Sequence, residues 1–344
     1  MFIYYFTLLS FLLLSSLSGK LGPIGNRLLA FIVITICIFV FGFRFEVGAD
    51  WYNYLNYYNL GYKNFSIEIL YVGLNGFADK YDLGFQFVIF VSTCIFFIAS
   101  FYALNRLKLN PYLFLAITGP YHLVMSGMNY NRQAIALSIF LLAYSYMLTS
   151  NKYKSLLAMA TAFFFHKSSL IMLPLFQAGS RKIYSVPFIA IAAAGFFATI
   201  FGDYSERYLE SSRYESRGFL LRYCYIVAVV WIIYLIRKKI NWDKKLKALA
   251  RFDVFFALII LLLSAFSTTV ADRIAYYVIL SSTLLLMYVL RYRLNSKLFV
   301  STEIFFAILF LLSFSVFIVW DNFGSISQYY NFRYNLPTNW LQLW

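Results

Sequence analysis

Apolar runs broken by charge or by Gly and Pro recur along the chain, and their lengths predict helices near residues 2–18, 28–43, 84–104, 112–127, 129–149, 156–165, 169–178, 186–201, 223–236, 252–266, 274–290 and 298–319. Most approach the roughly 20 apolar residues that a bilayer crossing needs. Runs 156–165 and 169–178 are too short to cross straight, so they form either two thin helices meeting at a deep polar tip or a re-entrant hairpin. The first run, "MFIYYFTLLSFLLLSSLSGK", has no positive charge before its apolar core, its first base being Lys20. That order argues for a retained span with its N-terminus outside rather than a signal peptide. The expected fold class is all-α: a polytopic integral membrane protein of about 12 transmembrane helices, with 1–344 as a single transmembrane domain.

Composition agrees. The chain is 62% hydrophobic and 12% charged with a mean hydropathy of +0.72, far from soluble-domain usage. A net charge of +15 in a soluble protein would suggest nucleic acid; here the charges sort by loop instead. Loops 19–27, 105–111, 150–155, 179–185, 237–251 and 291–297 hold 18 of the 29 Lys and Arg, seven of them in 237–251. By the positive-inside rule these loops are cytoplasmic, and no nucleic-acid partner is expected. The other side keeps 11 bases and 11 of the 14 acids, and there Arg outnumbers Lys 8 to 3. Planar guanidinium groups grip phosphate and carboxylate through two parallel bonds, so the outer face reads as an anion site, unless its arginines merely pair with the outer acids.

Helices starting near Asn129, Ser168 and Arg273 would present their N-termini outward, where the dipole already favours anions. Arg132, Lys167 and Arg273 stand at those ends. Bases set against the dipole make sense around an anionic ligand; the alternatives are that Arg273 pairs with Asp272 and that Arg132 snorkels. In "MNYNRQAIA", Asn129, Arg132 and Gln133 fall on one helical face by i, i+3, i+4 spacing. His166 sits at the tip between the two short runs and suits proton transfer; His122, beside Pro120, is the only other histidine. Taken singly, each histidine is more often structural.

Two loops are expected outside, each with interfacial helices: 44–83 and 202–222. In the first, Ile67, Leu70, Tyr71, Leu74, Phe77 and Ala78 keep the spacing of a helix lying on the membrane surface. Trp51, Tyr52, Tyr54, Tyr57 and Tyr58 read mostly as an interfacial aromatic belt. Glu46 and Asp50 would repel an anion unless they orient an arginine or take a proton. Cys37, Cys94 and Cys224 show no metal-ligand spacing, and GxGxxG, GxxxxGK[ST], HExxH and DxD are all missing, so no cofactor is expected and no metal site.

"RFEVGADWYNYLNYY", "MNYNRQAIALSIFLLAYSYM" and "FFFHKSSLIMLPLF" resemble segments of the EpsG-like branch of Wzy-type O-antigen and exopolysaccharide polymerases. The R-x-x-x-G-x-D-x-x-x-Y pattern falls on Arg44, Gly48, Asp50 and Tyr54, with N-R-Q at Asn131 to Gln133, F-H-K-S at Phe165 to Ser168, and a weaker terminal element around Arg333. The resemblance implies a metal-independent glycosyltransferase, similar to C-class lipid-linked enzymes, in the bacterial cytoplasmic (inner) membrane with its site facing the periplasm. It implies undecaprenyl-pyrophosphate-linked glycans as donor and acceptor and membrane lipids as surroundings, and it leaves room for a chain-length regulator, on which the sequence is silent. On that basis Arg132, Arg273 and Arg44 would neutralise the leaving pyrophosphate, either His166 or Asp50 would take the proton, and Glu46, Asn129, Gln133, Lys167, Tyr54 and Arg333 would bind substrate. An O-antigen ligase, a polysaccharide acyltransferase and a transporter or flippase are the competing readings.

Overall fold

The computed structural model describes residues 1–61, 68–177, 216, 218–298 and 301–333. Among these every named element is a helix, and Ile240 and Leu294 form an isolated antiparallel bridge. In order the elements are α1 (Phe2–Ser18), α2 (Pro23–Gly42), α3 (Trp51–Asn56), α4 (Ile69–Lys80), α5 (Gly84–Arg106), α6 (Pro111–Gly119), α7 (Asn131–Leu148), α8 (Lys152–Phe165), α9 (Phe219–Ile236), α10 (Lys244–Ser264), α11 (Thr268–Tyr292) and α12 (Thr302–Phe323). Predicted helix 186–201 and most of loop 202–222 lie outside the described residues.

Five described helices are long and apolar enough to cross a membrane: α2, α5, α9 with the turn after it, α11 and α12. They differ in what surrounds them. The apolar window of α11 is 89% buried and that of α2 only 22%, so α11 is a central post and α2 presents its side chains to lipid. Helix α7, apolar on nearly every side, is buried likewise and packs against α5, α8 and α11. A helix without a polar face has to be enclosed by other helices or by lipid.

Local chemistry sets the boundaries. Pro111 opens α6 while the side chain of Asn110 accepts from the Leu113 amide at 3.1 Å. Pro120 does not end the helix as a simple kink: lacking an amide hydrogen, it forces a wider π-helical stretch, Pro120–Gly127, that carries the segment on to Met128. Asp243 caps α10 by accepting from Leu246 at 2.8 Å, so this helix starts eight residues earlier than its apolar run, and half of the basic loop 237–251 is its first two turns. Residues 51–61, expected as loop, form α3 and one π turn. Helix α4 forms where the spacing of Leu70, Tyr71, Leu74, Phe77 and Ala78 predicts a helix; it buries Tyr71, Asn75 and Ala78 against α5 and α8 and leaves Leu70 and Phe77 exposed. After α8, His166 is extended and residues Lys167–Gln177 follow as a 3-10 helix packed back on α8.

The basic loops meet at one end of the bundle. Lys245 Nζ donates to the carbonyls of Met147 and Leu148 at the end of α7. Tyr292 OH donates to the Leu107 carbonyl, Asn110 to that of Ser15, and Asn241 N to that of Arg293. At the other end the segments around Arg44, Glu68, Arg132, His166, Arg222, Asp272 and Arg333 come together.

Candidate active site

Three side chains separated widely in sequence converge at that second end. Glu68, just before α4, receives Arg132 NH1 on Oε2 and faces His166 Nδ1 with Oε1 at 2.5 Å. Glu68 and His166 are almost wholly buried, whereas a quarter of the Arg132 side chain stays accessible. An ionised carboxylate only accepts hydrogen bonds, so Nδ1 carries the proton and the lone pair of a neutral ring lies on Nε2. Burial works to raise the Glu68 carboxyl, but the charge and hydrogen bond of His166 and the guanidinium of Arg132 outweigh it and hold it down at about 2. Around Arg132 stand the rings of Tyr54, Tyr57 and Tyr71, with centroids 5.6, 5.4 and 6.0 Å from the guanidinium carbon. Those tyrosines are the walls of an arginine site rather than an interfacial belt, and Trp51 is buried between Phe45 and Phe85.

Arg273 comes from the second turn of α11, not from its end, because Ser267 caps this helix by accepting from the Val270 amide. Its guanidinium lies 5.1 Å from the Tyr130 ring and its carbonyl accepts from Gln133 Nε2 at 3.0 Å. Gln133 is therefore a buried link between α7 and α11. Asp272 does not hold Arg273: it takes the fork of buried Arg222, through Oδ1 and through Oδ2 at 2.9 Å, and ties α9 to α11. Lys167 begins the 3-10 helix, half-exposed, and the neighbouring Ser168 Oγ meets Tyr277 OH at 3.0 Å.

Several candidates prove to be scaffold. Arg44 is buried, its side chain used by the protein: NH1 donates to the Phe41 carbonyl and Thr93 Oγ1, NH2 to the Gly127 carbonyl and Asn131 Oδ1 at 2.7 Å. This corrects the expectation of a phosphate ligand there; Arg44 fastens the segment after α2 to the start of α7. Asn129 precedes the helix, which begins at Asn131, so it does not share a helical face with Arg132 and Gln133. It grips Asp50 instead, accepting from its amide at 2.8 Å and donating to its Oδ2 at 3.3 Å. Asn53 holds the other carboxylate oxygen of Asp50, and a carboxylate clamped by two amides is a positioning group. Glu46 pairs with Arg333 at 3.0 Å and accepts from Tyr52, forming a separate, exposed cluster. His122 is buried in the π-helical stretch beside Ser100 and the Phe96 ring.

Glycine explains the spacing of the first motif. Gly48 has φ of +105°, and a Cβ there would stand 2.4 Å from the Met128 carbonyl oxygen. Its amide donates to the Tyr329 carbonyl, and that of Phe45 to Arg333. The loop is pressed between the turn at 127–130 and the segment after α12. No group of three or more His, Cys, Asp or Glu side chains converges among the described residues.

The EpsG family profile matches residues 27–335, nearly the whole chain. The chain belongs to the EpsG family. No curated protein and no solved structure matches it. Membership points to polysaccharide polymerisation, and the apolar helices place this EpsG-family protein in a membrane.

Sequence reasoning missed Glu68 and the pairing of Arg222 with Asp272. Glu68 lies in the first turn of the periodic run that opens at Ile67, where an acid reads as an ordinary helix-start residue. Its partners are 64 and 98 residues away, and no spacing rule reaches that far.

Proposed function

We propose that this protein is a membrane glycosyltransferase that joins oligosaccharide repeat units carried on undecaprenyl pyrophosphate, at the outer face of the bacterial cytoplasmic membrane. The observation that carries the reading is the Glu68 carboxylate holding Arg132 on one oxygen and His166 on the other. The acceptor hydroxyl attacks the anomeric carbon of the donor, the bond from that carbon to the phosphate oxygen breaks, and lipid pyrophosphate leaves. His166 Nε2 takes the hydroxyl proton, and Glu68 fixes the tautomer and steadies the imidazolium. Arg132 receives the charge growing on the pyrophosphate, with Arg273 and Lys167 contributing to the field. Arg44, Asp50 and Asn129 set the positions of the aromatic walls and of Arg132 without touching substrate.

The surface-glycan profile of a deletion strain tests this. Single-repeat glycans are expected, with the polymer ladder restored by wild type and not by His166→Ala. A ladder that accumulates on lipid pyrophosphate without reaching its final acceptor would instead indicate a ligase, and an unchanged profile would reject both.

Arg132→Lys keeps the charge but loses the planar fork and the stacking. In membranes supplied with lipid-linked repeat units it is expected to polymerise at least tenfold more slowly, about 1.4 kcal/mol in the barrier; wild-type rates would reduce Arg132 to a point charge. Orientation is tested in a cysteine-free background: an impermeant thiol reagent on intact cells should label a cysteine at Asn59 and spare one at Asn241, both exposed positions. The reverse pattern would move the site to the cytoplasm.

A further inference from the structure

A second site lies near the basic end, between α9 and α10. The two helices diverge around about 400 Å³ of open space, within the roughly 300–1,000 Å³ typical of small-ligand sites. Its walls are apolar, formed by Val230, Ile233 and Val254, and its rim carries Arg237, Lys247 and Arg251. Tyr234 of α9 and Val254 of α10, which line it, are themselves exposed apolar groups, so the groove is open along the apolar surface of the bundle. Among the described residues no carboxylate pairs with the three rim bases. Arg237 is braced over the Tyr234 ring at 3.4 Å, and Trp242 Nε1 donates to the Arg237 carbonyl at 2.7 Å. Asp253, the one acid in the lining, is buried and accepts from Ser281 Oγ of α11 on Oδ1.

We infer that this groove holds an anionic phospholipid, with its phosphate on Arg237, Lys247 and Arg251 and an acyl chain along the wall between α9 and α10. Charge and shape commit it to that occupant. A soluble anion would find the bases but leave the apolar walls bare, and a zwitterionic lipid would gain little from three bases against one acid. Lys and Arg beside a membrane surface attract anionic headgroups with about 1 kcal/mol each, close to a fivefold effect on affinity. The site is remote from the Glu68 cluster and does not depend on glycosyl transfer.

The test is native mass spectrometry of the full-length protein in mild detergent with equimolar phosphatidylglycerol and phosphatidylcholine. Wild type should retain phosphatidylglycerol preferentially. Lys247→Ala with Arg251→Ala, both exposed positions, should lower that retention about twenty-five-fold by the same reasoning. Ala250→Phe, which fills the groove and keeps every charge, should lose it too, while Lys238→Ala with Lys239→Ala should not. Thermal unfolding of each variant confirms that it is folded, and the charge pair decides the matter if Ala250→Phe is not. Equal retention of the two lipids by wild type, or retention as strongly lowered by the Lys238 and Lys239 pair, overturns the site. So does a phosphatidylglycerol preference that survives in folded Ala250→Phe.

Discussion

Glu68→Gln is expected to abolish polymer formation while leaving the protein in the membrane at its normal level. The amide keeps the size of the side chain but removes the charge between Arg132 and His166, and its NH2 group has nothing to offer a guanidinium. Arg132 loses its orientation, and His166 loses the partner that places its lone pair on Nε2 and stabilises the imidazolium. Positioned proton transfer contributes typically 10²–10⁴-fold, so a loss of about that size is expected with purified protein and lipid-linked repeat units. Glu68→Asp, which keeps the charge on a shorter stem, should recover part of the rate. A Gln variant within a few-fold of wild type would remove the carboxylate from the mechanism.

Acid should disassemble the same cluster. The Glu68 carboxyl lies below its unfolded value, so its contribution to stability is present at neutral pH and above the ordinary carboxylate value, and is lost as pH falls through that value toward about 2.

Gly48→Ala has the other large effect, and it acts on folding rather than chemistry. The methyl group would overlap the Met128 carbonyl at 2.4 Å, and the backbone is held at φ +105°, where an L side chain is strained. Backbone strain of this kind costs about 1–3 kcal/mol before the overlap is counted. Relief would push the loop off the turn at 127–130 and break the contacts of Arg44 and Asn129. The variant should unfold several degrees lower in detergent and yield little membrane-inserted protein; a wild-type melting temperature would show that the loop tolerates displacement.

The long helices were legible because a bilayer imposes a length and an apolar content on whatever crosses it, whereas the cap at Asp243, which starts α10 eight residues before its apolar run, was not read from the sequence. The basic end was legible too, since the excess of Lys and Arg in alternate loops is a property of the linear chain. So were His166 and Arg132 as candidates, each by the cost of a polar side chain at such a place. What these residues do to one another was not. Arg44 and Arg132 look alike in sequence, each a lone base next to an apolar run. Tertiary structure buries the first among carbonyls and amides and leaves the second partly open on a carboxylate. Asp50 and Glu68 exchange their expected importance for the same reason, since a charge takes its role from the groups around it. Sequence by itself determined an all-helical membrane protein with one basic end and a short set of candidate polar residues. Only the packed fold decided which arginine faces the site and which carboxylate aligns the histidine, because those contacts span 64 to 98 residues and periodicity acts only between neighbours on one helix.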